Sequence, residues 1–175
     1  MMKKLFLVLG ILFGSNAQSQ IVIDNTVPYN NHSYLIDSVL LGGGVTATSH
    51  VFQGDASQIG WFDGSNSNIG IDTGIVLSSG NIFDIVGPNN APSTSTGWSL
   101  PGDVTLDAVI APTLTNDAAV LEFDFVPTSD TLSFKYVFAS EEYLEYVATI
   151  NDAFGFFLSG PNPAGGMYVN ENLAI

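Results

Sequence analysis

The chain alternates between short apolar runs and stretches rich in Gly, Asn, Ser and Asp. Residues 21–27 (IVIDNTV) read as a short first strand. Residues 33–41 form the best helix candidate. Leu35, Ile36, Val39 and Leu40 fall on one side, and Gly42, Gly43 and Gly44 follow as a stop signal. A strand is expected near 45–51. Residues 53–73 read as a loop with Trp61 and Phe62 as an apolar anchor. Residues 74–78 (GIVLS) read as a short buried strand, and 87–102 as a long polar loop carrying Pro88, Pro92, Trp98 and Pro101. Asp103 is placed to cap a helix over 104–110, with Leu106, Val109 and Ile110 turned inward.

The second half carries the strongest strand signals. Leu121, Phe123 and Phe125 alternate with Glu122 and Asp124, and Leu132, Phe134, Tyr136 and Phe138 alternate with Ser133, Lys135 and Val137. The turn-like PTSD at 127–130 lies between them and suggests an antiparallel hairpin. That pairing sets Phe125 opposite Leu132, Phe123 opposite Phe134, Leu121 opposite Tyr136 and Glu122 opposite Lys135. An acidic connection over 139–146 leads to another apolar strand over 153–159. Short strands, Gly/Asn turns and one or two short helices predict a mainly β fold, an antiparallel β-sandwich of jelly-roll-like type, incomplete at its C-terminus.

Composition narrows the class of partner. The chain has 175 residues, 17 acidic and three basic, for a formal net charge of −14. Phosphate recognition needs basic side chains, so nucleic-acid binding is excluded as a reading. The apolar fraction of 46%, with 12 Phe and six Tyr, supports a packed core rather than disorder. The chain has no Cys, which removes disulfides and thiolate chemistry.

Residues 1–17 have the layout of a secretory signal peptide. Lys3 and Lys4 precede an apolar run over 5–13, too short for a bilayer core of ~30 Å. Small residues at Ser15 and Ala17 place cleavage after Ala17, with Ser19 as the alternative. Cleavage takes the formal charge from −14 to −16 and leaves Lys135 as the one strong base. The expected product is exported, secreted or at the outer cell surface, with no membrane insertion after processing.

Several motifs together resemble the choice-of-anchor L domain family. They are DAAVLEFDFVP at 117–127, the run from Phe134 through SEEYLEYV ending at Val147, and NDAFGFFLSGP at 151–161. LLGGGV at 40–45, GIVLSSGN at 74–81 and GPN at 87–89 also fit. Leu144 and Ile150 depart from the residues common in that family. The resemblance implies a bacterial exported or surface module, common in Bacteroidota and joined to varying C-terminal anchoring or sorting signals. It supplies no catalytic residues to transfer. It also implies that residues 18–175 are the N-terminal portion of a longer domain.

The candidate chemistry is acidic and aromatic. Glu141, Glu142, Glu145 and Asp152 could supply oxygen ligands to Ca²⁺. The plainer reading has Ser140 capping one helical turn, with the following glutamates favouring its positive end. DGSNSN at 63–68 is similar to the start of a calcium loop, but Gly74 stands where the closing carboxylate belongs, and a polar turn is the simpler reading. The NDAFGFFL segment at 151–158 is similar to the buried strand of L-type lectins, which makes carbohydrate a ligand class to test. Glu142 and Glu145 could meet the glycosidase separation of about 5–9.5 Å, with nothing else favouring hydrolysis. His32 and His50 belong to no Ser-His-Asp arrangement. Trp61, Trp98 and Tyr143 fall in expected loops, where aromatic rings stack on sugars, anchor a partner or plug a sandwich end. The sequence therefore favours a non-catalytic binding or adhesion module, calcium-stabilised, for an extracellular glycan or surface protein. A structural spacer is the alternative. A carbohydrate-active enzyme or lectin-like binder comes third.

Overall fold

The structure is a computed structural model, and it describes residues 20–87, 91, 94–141, 143, 146 and 149–174. The expected signal peptide lies outside the described residues. The architecture is mainly β, antiparallel and sandwich-like, with two short helical segments.

The first sheet has β1 (Val22–Asp24) and β4 (Thr73–Leu77) on either side of β3 (Ile59–Asp63). Strand β3 lies within the stretch that the sequence pattern marks as loop. It is hydrogen-bonded on both sides, with Ile23 opposite Phe62 and Gly60 opposite Val76. A five-residue central strand flanked by Gly, Asn and Ser shows too little alternation to announce itself. Ile23, Phe62 and Ile82 form a buried cluster, with Ile21, Ile69, Ile71, Val76 and Val86 packed against it. Gly60 is required at this point. A Cβ there would lie 2.6 Å from the Ile82 Cδ1 and 2.9 Å from the Asp24 carbonyl oxygen.

The helical segment begins as α1 (His32–Tyr34), capped by the Asn31 carboxamide, which accepts from the Ser33 and Tyr34 amides at 2.9 and 3.4 Å. It continues with wider winding over Leu35–Leu40, where the Leu41 amide reaches back five residues to the Ile36 carbonyl at 3.0 Å. Leu35 and Ile36 are completely buried, and the segment touches β3, β4 and β2 (Val45–Gln53). The wider winding carries Leu40 off the buried face.

The expected hairpin between 121–125 and 132–138 does not form. Strand β5 (Val120–Pro127) pairs instead with β2, setting Phe125 opposite Ala47, Glu122 opposite Val51 and Leu121 opposite Phe52. The Thr128 amide and hydroxyl both donate to the Gly44 carbonyl, at 2.8 and 3.0 Å, and close one end of this ladder. A bulge between Thr48 and Val51, with Ser49 at φ +57°, adjusts its middle. Residues 131–138 lie outside any ladder, with the rings of Phe134 and Tyr136 against Phe156 and Phe154. Cross-strand chemistry is degenerate here, because an aromatic row is served equally well by another aromatic run.

The expected strand over 153–159 begins later, as β6 (Phe157–Pro161), and pairs with β7 (Met167–Asn172). Their turn uses Gly165 and Gly166 at positive φ. The second helix, α2 (Val104–Ile110), is capped by Asp103, which accepts from the Leu106 amide at 2.7 Å. Leu106 and Ile110 are half-buried, but Val109 is exposed, contrary to the inward placement expected for it.

Replacing Gly60 with Ala should lower unfolding stability by about 1–3 kcal/mol, the range for overpacking a filled core. Chemical denaturation of the two proteins would measure it, and equal midpoints would contradict the close packing at β3.

Candidate functional site

The site is built on a short capped turn. Asp55 accepts from the Ser57 amide at 2.9 Å and the Ser57 hydroxyl at 2.5 Å. The Gln58 Oε1 accepts from the Asp55 amide at 2.6 Å, completing a reciprocal capping box. Gln58 is fully buried. Its Nε2 donates to the Ser79 carbonyl at 2.9 Å and to the Asp117 carbonyl at 2.8 Å. One side-chain amide therefore ties the turn before β3, the segment after β4 and the approach to β5.

Asp117 extends the same node outward. It sits at φ +53°, a conformation that a short polar side chain tolerates better than most. Its carboxylate accepts from the Leu100 amide at 2.6 Å and the Trp98 amide at 3.2 Å. Its own amide donates to the Leu100 carbonyl at 3.0 Å. The part of the long loop over 94–100 is thus held against the start of β5. Between segments 79–80, 95–97 and 116–117 lies an open groove of about 190 Å³. Gly80 approaches Thr96 closely there, and Thr96 donates its hydroxyl to Asp84 at 2.8 Å. The groove offers hydroxyls, an Asn carboxamide and main-chain groups, and its one charge, Asp117, already accepts two amides.

The residues anticipated as metal ligands are divided. Glu142 and Glu145 lie outside the described residues. Glu141 is half-buried and accepts from the Thr94 amide at 3.1 Å, so it holds the loop that carries Trp98. Asp152 is half-buried. Among the described residues, no three His, Asp or Glu side chains converge as a metal-binding group. Asp63 serves its own turn, accepting from the Ser65 amide at 2.9 Å and hydroxyl at 2.6 Å. His50 Nε2 comes within 3.3 Å of Asp37 Oδ1 without hydrogen-bond alignment, a polar contact between β2 and the helical segment.

The aromatic candidates sit in different parts of the chain's structure. Trp61 lies in β3 rather than in a loop, stacked on Tyr29 with centroids 5.0 Å apart and planes 15° apart. Trp98 does lie in a loop, half-buried, and its buried indole N–H has no acceptor among the described residues. Tyr143 is exposed. Gln58 and Asp117 were not anticipated as functional positions. The DASQ pattern at 55–58 is a legible capping-box signature. Nothing local marks Asp117, because its role depends on segments brought together only by folding.

These features define a small antiparallel β module with a polar surface groove, and none of the described helices is long and apolar enough to cross a membrane. Over residues 22–175 the chain matches the family model of the choice-of-anchor L domain, and it belongs to that family. No curated protein and no solved structure matched the chain. The family makes this an exported, surface-associated module, and the family is not known as enzymatic.

Replacing Gln58 with Met removes the partner of the Asp55 amide and of the Ser79 and Asp117 carbonyls, at about 1–3 kcal/mol for each group left buried and unsatisfied. Thermal unfolding should reveal the loss, while an unchanged midpoint would remove Gln58 from its central place. Acid should act through the turn carboxylates. Hydrogen bonds from Ser57 hold the Asp55 carboxyl below its ordinary value, hydrogen bonds from Ser65 do so for Asp63, and those from Thr26 do so for Asp24. The unfolded chain then binds protons first as pH falls, so this stability is present above pH 3.8 and is lost as pH drops through the folded values. Asp55→Asn should flatten the acid limb of a stability–pH curve, and an unaltered limb would contradict the assignment.

Proposed function

We propose that this chain is a non-catalytic binding and adhesion module of the cell surface, exported by the segment 1–17, and that its ligand is an extracellular glycan held in the groove between 79–80, 95–97 and 116–117. The observation that carries this reading is the pinning of loop 94–100 by Asp117. Two hydrogen bonds donated by the Trp98 and Leu100 amides to one carboxylate hold the loop before any ligand arrives, which lowers the ordering cost of binding. A neutral polyhydroxyl ligand suits the lining, which has side-chain and main-chain hydrogen-bonding groups but no base to attract an anion. Trp98 adds an aromatic surface beside the same loop.

Calcium is the cofactor this reading admits. Glu141, Glu142, Glu145 and Asp152 would be its ligands, and Glu141 already contacts the loop, so an ion there would stiffen the groove. The spacer reading lacks a reason for a fixed polar groove.

The test is titration of the whole chain with a glycan library, followed by NMR of the groove amides. Ser95→Trp should fill the groove and abolish binding with an unchanged melting temperature. Absence of any glycan-dependent shift at 79–80, 95–97 and 116–117 would favour the spacer. In parallel, melting in calcium and then in excess EDTA should show an upward shift in calcium, as expected for an ion that binds only the folded state. Asp152→Asn should abolish it, and equal melting temperatures would return these carboxylates to capping and solubility.

A further inference from the structure

The polar side chains that line the groove fall into two sets. The Thr96 hydroxyl donates to Asp84 at 2.8 Å, and the Asp117 carboxylate accepts from the Leu100 and Trp98 amides. Both residues are half-buried, and their bonds hold the walls. Ser79, Ser95 and Asn116 are exposed, and among the described residues their side chains make no hydrogen bond. Their main chains are nonetheless tied down. The Ser79 carbonyl accepts from Gln58 Nε2 at 2.9 Å, and Asn116 forms an antiparallel bridge with Pro101. Ser95 lies between Thr94, whose amide donates to Glu141, and Thr96, whose hydroxyl donates to Asp84. Side chains with unused hydrogen-bonding capacity on a fixed backbone are ordered for a ligand at low cost.

The lining also restricts which sugar can use them. A Cβ on Gly97 would lie 3.9 Å from Asp117 Oδ2, so a carboxylate borders the groove and opposes a uronate or a sulfate. Apart from the Thr96 methyl, the lining residues carry no aliphatic or aromatic side chain. The methyl of an acetamido group would therefore find no apolar wall to cover it. The volume of about 190 Å³ is below the about 300–1,000 Å³ of sites that enclose a drug-sized ligand, and it suits one sugar ring. A carboxamide presents a donor and an acceptor side by side, which matches two neighbouring hydroxyls, one accepting and one donating.

We propose that Asn116 is the specificity-determining residue of the groove, reading a vicinal pair of hydroxyls on one unmodified neutral hexose ring, with Ser79 and Ser95 as further hydroxyl contacts. The assignment rests on the glycan reading of the groove and names the sugar class within it.

The experiment titrates the whole chain with the methyl glycosides of glucose, galactose and mannose, and with N-acetylglucosamine and glucuronate, following the groove amides by NMR. At least one methyl glycoside should shift those amides, and N-acetylglucosamine and glucuronate should bind at least about tenfold more weakly. Asn116→Ala should weaken the methyl glycoside about tenfold, as the loss of two hydrogen bonds implies. Its melting temperature should not change, because the Asn116 side chain bonds to nothing in the fold. Among the mono-deoxy analogues of that glycoside, at least one should bind the native chain more weakly, yet bind Asn116→Ala as well as the parent sugar does. The proposal is overturned by equal binding of N-acetylglucosamine or glucuronate, by an Asn116→Ala chain that binds normally, or by deoxy analogues that weaken both chains alike. In each of those cases sugar still binds the groove and the glycan reading stands. If no sugar moves any groove amide, the glycan reading falls and this assignment with it.

Discussion

The buried amide of Gln58 is the constraint on which the arrangement around the groove depends. A fully buried carboxamide is tolerated only when its polar atoms are matched, and here both ends are: the oxygen by the Asp55 amide, the nitrogen by the carbonyls of Ser79 and Asp117. Those partners are far apart in the sequence. Matching them fixes where the segment after β4 lies relative to the start of β5. Asp117 then turns the same node outward and holds the loop over 94–100 by two amides. The groove is thus a consequence of satisfying one buried polar group.

The apolar part of the fold obeys a different rule. Leu35 and Ile36 are buried where the helical segment packs on β2, β3 and β4, and Gly60 leaves room for the buried Ile82. A strand and a short helix each hide only one side, so each needs a neighbour. The aromatic row over 134–138 shows what happens where the neighbour is only partly supplied. Stacking on Phe154 and Phe156 orders the rings, but it leaves the backbone of 132–138 without hydrogen-bond partners among the described residues.

Much of the fold was legible where a signal is local. The helix over 33–41, the strands at 45–51 and 74–78, the Asp103 cap and the alternation at 121–125 all depend on residues within a few positions of one another, and all are present with small shifts of boundary. The candidate site was legible in smaller part. The loop over 87–102 and Trp98 within it were marked by composition, but Trp61 was assigned to a loop and lies in β3, and neither Gln58 nor Asp117 was singled out. Glu141 was anticipated as a metal ligand, and in the structure it holds the Thr94 amide.

By itself the sequence determined the class: a cysteine-free, strongly acidic chain of short alternating strands, with motifs that identify its family over residues 22–175. Periodicity and composition are properties of neighbouring residues, so they survive in a linear reading. Tertiary structure alone decided which strands pair. Strand β5 could satisfy its alternating face against 132–138 or against β2, and the local chemistry of the two choices is nearly equal. The choice of β2 is accompanied by the Thr128 bonds to Gly44, and the approach to β5 carries the Asp117 link to Gln58. Those contacts join residues tens of positions apart, and no window along the chain contains both ends of any of them.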